Sequence, residues 1–138
     1  MDSVAAKRDS LWKDAVKDKK KVDGMFTLYQ DTVSGSLQLY IKKDQLNKEF
    51  IYQSFSMGGP GSLFLNQNML RETWVFKITK NYNRLDFIRC NTNFYYDPAN
   101  AISKAANVDV SDAVFYADKV GAEDSLGYLL KADGLFPE

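Results

Sequence analysis

Histidine is absent from this chain of 138 residues, and that gap excludes more chemistry than any residue present suggests. Without an imidazole there is no Ser-His-Asp or Cys-His nucleophile pair, no histidine general base and no His-containing zinc site. Cysteine occurs once, at Cys90, so neither an internal disulfide nor a paired-cysteine metal knuckle can form. Net charge is missing too, because 18 Lys and Arg balance 18 Asp and Glu. No global field therefore draws the chain to nucleic acid or to an anionic membrane. An apolar run of about 20 residues is also lacking, so no membrane span is expected. The opening, Met1 to Ser10, has no apolar centre of the kind a signal peptide needs. That leaves either a cytoplasmic protein or one whose leader has been removed.

What is present suits a folded β-rich domain. Hydrophobic residues make up 45% of the chain, and a domain of this length buries roughly 70% of its unfolded surface. Residues 3–21 read as a helix, with Val4, Leu11, Trp12, Ala15 and Val16 near helical spacing. Lys17, Lys19, Lys20 and Lys21 at its end suit the negative pole of the helix dipole. Asp14, Asp18 and Asp23 interleave with these lysines, which favours a solvated helix end over an anion patch.

After Gly24 the pattern changes to period two. Strands are expected at 25–30, 37–42, 49–55, 73–78, 84–89, 111–117 and 125–132. In the second of these, Leu37, Leu39 and Ile41 share one face and Gln38, Tyr40 and Lys42 the other. Lys43 to Lys48 reads as a turn or a single helical turn, Lys80 to Asn83 as a hairpin turn, and residues 133–138 as a closing turn. Asp97 and Pro98 open a short internal helix over 99–108, with Asp97 as cap. The sum is an α+β fold, β-rich, with mainly antiparallel sheets, an N-terminal helix and one short internal helix. Residues 1–23 are expected as a helical and linker segment and residues 24–138 as the β-rich domain.

Each chemical signal has a plainer reading. The loop Gly58-Gly59-Pro60-Gly61-Ser62 lacks the Lys-Ser/Thr ending of a phosphate-binding loop and reads as a flexible connection. Aromatic residues reach 14%, and Trp74, Phe76, Lys77, Tyr82, Arg84, Phe87 and Arg89 interleave rings with cations. Such a stripe can stack bases or sugars, but with no net charge, strand packing explains it better. Asp86, Asp97, Asp109, Asp112, Asp118, Glu123 and Asp124 are numerous enough to supply an acid/base pair. Most fall at turns or strand ends, where Asp caps backbone N–H groups. Cys90, on a strand, reads as a small buried hydrophobe rather than a nucleophile.

As an ordered string, residues 22–138 carry a resemblance. Asp23-Gly24-Met25-Phe26-Thr27-Leu28-Tyr29-Gln30-Asp31, then Leu39-Tyr40-Ile41, Gln45-Leu46 and Glu49-Phe50-Ile51 begin it. Asn91, Tyr95, Ala101 and Val110-Ser111 continue it, and Tyr128-Leu129-Leu130-Lys131-Ala132-Asp133-Gly134-Leu135-Phe136 closes it. The string resembles the N-terminal β domain, labelled as of unknown function, of large exported zinc metalloproteases of the Bacteroidetes type. Two stretches depart from the family. Leu65-Asn66-Gln67-Asn68-Met69 stands where a Leu-Asp-Arg-Gly-Gln-like segment is usual, and Thr92-Asn93-Phe94 replaces a neighbouring arginine.

The family's zinc helix needs two histidines one turn apart, and this chain has none. The resemblance thus implies a non-catalytic accessory domain, with no cofactor of its own. Its partner would be the catalytic metalloprotease domain of the same parent chain. It implies export to the periplasm, the outer surface or the medium. Leu63, Phe64 and Leu65, flanked by glycines and amides, form a candidate docking loop and are equally suited to fold back on the core. A second reading is a stand-alone β-rich module binding a protein or glycan, marked by aromatics clustered on one sheet face beside a concave pocket. A third is a small hydrolase with paired carboxylates facing each other across a cleft.

Overall fold

A computed structural model describes residues 2–60, 62, 68–92, 97, 99–101 and 112–135. The fold is β-rich α+β: helix α1 (Asp2–Val16), strands β1 (Lys19–Val22), β2 (Thr27–Asp31), β3 (Leu37–Lys42), β4 (Glu49–Phe55), β5 (Leu70–Asn81), β6 (Arg84–Arg89), β7 (Ala113–Lys119), β8 (Ala122–Glu123) and β9 (Gly127–Lys131). One turn of 3-10 helix, Lys43–Gln45, follows β3. The strands form a five-stranded sheet, β1-β2-β3-β9-β8, and a four-stranded sheet, β4-β5-β6-β7. Two compact units result. The first comprises Met1–Asn47, Thr79–Asp86 and Tyr116–Glu138, the second Lys48–Ile78 and Phe87–Phe115.

The first unit is built on β3 and β9, which pair antiparallel with Leu39 opposite Leu130 and Tyr40 opposite Leu129. Leu39, Tyr40, Ile41, Tyr128, Leu129 and Leu130 are all buried, so these two central strands are covered on both faces. Tyr40, Leu129 and Ala122 form a cluster on which Trp12, Ala15 and Val16 of α1 pack. The Trp12 ring meets Tyr40 at 5.2 Å and Tyr29 edge-on at 6.1 Å. The Asp124 carboxylate closes the turn into β9. Its Oδ1 accepts from the N–H groups of Leu126 and Gly127 at 2.9 and 2.7 Å and from the Tyr40 hydroxyl at 2.9 Å.

Several boundaries differ from the sequence expectation. The helix stops at Val16, because Asp18 turns the backbone left-handed (φ 58°), and Lys19 to Lys21 belong to β1 rather than to a helix end. There they pair antiparallel with β2, Lys19 opposite Asp31 and Lys21 opposite Tyr29. Lysines on an edge strand discourage further pairing. Val4 and Leu11, expected on the packed face, are 74% and 55% exposed. The internal helix expected over 99–108 falls mostly outside the described residues. At its start, the Ala99 N–H donates to Asp97 Oδ1 and the Asn100 N–H to the Asp97 carbonyl, each at 2.9 Å.

Candidate functional site

Rings gather on one face of the four-stranded sheet because strand side chains alternate and the register is fixed. In the β4–β5 pair Phe50 stands opposite Phe76 and Tyr52 opposite Trp74. The first pair lies 5.6 Å apart between centroids, and the second is stacked at 4.5 Å with planes 30° apart. Phe115 of β7 meets Trp74 edge-on at 4.6 Å and Phe76 at 6.1 Å, and Phe87 of β6 stacks on Phe76 at 6.4 Å. Each such contact contributes about 0.5–1.5 kcal/mol beyond its buried area.

The cluster grades from core to surface. Phe87 is buried, Phe50, Tyr52, Trp74 and Phe76 are half-buried, and Phe115 is 40% exposed. Arg89, on the face that Phe87 also occupies and itself exposed, sets its guanidinium 5.4 Å from the Trp74 ring centroid. The indole Nε1 of Trp74 is out of solvent and has no hydrogen-bond acceptor among the described residues.

Beside Trp74 opens a cavity of about 350 Å³, lined by Thr73, Trp74, Arg89, Cys90, Asn91 and Thr92. Its rim is held by Asp112. One carboxylate oxygen accepts the Asn91 N–H at 3.0 Å and the other meets Lys77 Nζ at 2.9 Å. The Asn91 N–H first, then Lys77, holds the Asp112 carboxyl below the usual carboxylate range. Its hydrogen bond to Asp112 raises Lys77. Burial pushes the Cys90 thiol up, against the pull of Lys77. A thiol raised in this way stays protonated at neutral pH and is a poor nucleophile.

Comparison with protein-family models, curated proteins and solved structures finds no match for the chain.

The sequence-derived candidates separate accordingly. Trp74, Phe76, Phe87 and Arg89, from the interleaved stripe, meet on the aromatic face. Tyr82 and Arg84 lie at the β5–β6 turn instead, where Arg84 Nε pairs with Asp86 at 2.7 Å. Leu63, Phe64 and Leu65, the candidate docking loop, lie outside the described residues, as does Asp109. Of the other carboxylates, Asp86 binds Asn81 and Arg84, Asp124 binds Tyr40 and its own turn, and Asp97 caps Ala99. Among the described residues no three His, Cys, Asp or Glu side chains gather as a metal site, and no helix is long and apolar enough to cross a membrane. No sequence signal marks Thr73, Asn91 or Thr92 as lining a cavity. Only the strand register and the Asp112 contact bring them to the cavity.

Proposed function

We propose that the chain is a non-catalytic binding module for a partner protein, and that the aromatic face of the four-stranded sheet is its contact surface. The stacked Tyr52–Trp74 pair, with Arg89 against the indole and a polar cavity alongside, is the observation that carries the reading. Trp, Tyr and Arg dominate the energetics of protein interfaces because rigid rings supply area and the guanidinium supplies directed charge. The fitting partner segment places an apolar side chain on the Tyr52–Trp74 pair and a carboxylate against Arg89. Thr73 and Thr92, at the cavity wall, offer its backbone hydrogen-bonding groups.

The accessory role beside a zinc metalloprotease domain rests on the resemblance alone, and it is compatible with this reading if the partner is that domain. A downstream reading frame without an HExxH helix would remove it. Selecting displayed peptides on the full chain tests the binding reading itself. Enriched peptides should bind the wild type and lose about tenfold in affinity on Arg89→Ala, a change of about 1.4 kcal/mol. Failure to enrich any peptide, or binding to an array of glycans in place of peptides, overturns the protein-partner reading.

A further inference from the structure

One stripe of α1 has cover at one end only. Val4, Arg8, Leu11 and Ala15 follow helical spacing and share a face. Ala15 packs on the Tyr40, Ala122 and Leu129 cluster, whereas Leu11 and Val4 are 55% and 74% exposed. They border a cavity of about 360 Å³ within the first unit, whose other wall is the turn from β7 into β8. There Val120 is half-buried and Ala122 buried. Two cations, Lys7 and Arg8, line this cavity against one carboxylate, Glu123. Among the described residues Lys7 has no ion pair. Arg8 Nη1 stands 4.0 Å from Glu123 Oε1, beyond hydrogen-bond reach. Arg8 Nε is out of solvent with no acceptor among the described residues. A guanidinium so placed is short of acceptors, and a withdrawn donor left unmatched is costly.

We propose that this cavity binds a small amphiphilic carboxylate, its head on the Arg8 guanidinium with Lys7 as second cation. Its alkyl body lies against Val4, Leu11, Val120 and Ala122. Charge selects the head. Lys7 and Arg8 outnumber Glu123, and a carboxylate from the ligand restores the balance while accepting the guanidinium donors, the stronger kind of hydrogen bond. The wall selects an alkyl body over a peptide. The Val120 N–H already donates to the Asn83 carbonyl at 3.0 Å and the Gly121 N–H to the Leu129 carbonyl at 2.8 Å. Peptide carbonyls therefore find no free donor on these two residues, while an alkyl chain needs none. The volume is that of the smaller ligand sites.

Titration of the isotope-labelled full chain with octanoate, read by amide chemical shifts, tests this. Shifts should saturate at α1 and at the turn into β8, with a dissociation constant of about 1 mM, as suits so small a ligand. Octylammonium, of the wrong sign, should not bind, and butyrate, too short for the apolar wall, should bind about tenfold more weakly. Arg8→Gln should weaken octanoate about tenfold, and Lys7→Gln, at an exposed position, about threefold. Glu123→Gln, which removes the competing carboxylate, should tighten it about threefold. No saturable shift, shifts centred on other elements, equal binding of octylammonium, or cation variants that bind as the wild type does would overturn the proposal. Displacement of octanoate by peptides selected on the chain, or binding to anionic phospholipid vesicles in place of free octanoate, would overturn it too. Peptide binding at Tyr52 and Trp74 is read at other amides, so either reading can fail alone.

Discussion

Gly127 shows how little room a single position leaves. A Cβ there would sit 2.5 Å from the Ile41 carbonyl oxygen and 2.7 Å from the Tyr40 ring, and neither backbone nor packed ring can yield cheaply. Gly127→Ala should therefore cost about 2 kcal/mol, measured by urea unfolding. Nearby, Asp124 serves two backbone donors and the Tyr40 hydroxyl with one oxygen. Burial first, then this bond, pushes the Tyr40 phenol well above its ordinary value. Asp124→Ala should cost about 2 kcal/mol, since it strands donors at a partly buried turn. At the β5–β6 turn Tyr82 holds a left-handed φ of 53° and is almost fully exposed. Asparagine tolerates that conformation better than tyrosine, so Tyr82→Asn should stabilise the chain by about 0.5 kcal/mol.

At the scale of elements, β3, β4 and β6 were legible in the sequence to the residue, because alternating apolar and polar positions leave one strand phase. Strand β1 was not. Three lysines and a valine carry no period-two signal, and the strand exists because β2 offers it a partner. The helix was legible but its packed side only in part. Trp12, Ala15 and Val16 reach the sheet, whereas Val4 and Leu11 share the helical spacing and stay in solvent. Trp12 is thus the anchor that ties α1 to Tyr40 and Tyr29. Trp12→Ala should cost about 3 kcal/mol and bring amide exchange in α1 close to that of an unprotected helix. The aromatic face was half legible. Its residue types stood out in the chain, but which of them meet was fixed by the β4–β5 register, and the cavity by Asp112 holding Asn91.

For the molecule as a whole, most of the buried core lies in the first unit, while the aromatic sheet face of the second grades out to solvent. Acid should act on both. Asp112 sits below the ordinary carboxylate value through the Asn91 N–H and Lys77. Burial raises Asp86, but its bonds to Asn81 and Arg84 outweigh that and leave it lowered. A carboxyl lowered in the folded state adds stability above its unfolded value of about 4. That stability is lost as pH falls through the folded values, so thermal melting should hold near neutrality and drop below about pH 4. The claim on which the rest turns is that the Tyr52–Trp74–Arg89 surface meets a partner. Isothermal titration of a peptide selected on the wild type, against wild type and Arg89→Ala, measures it beside the melting temperature of each. The account predicts about tenfold weaker binding with stability changed by less than about 1 kcal/mol. Equal binding to both proteins would contradict it.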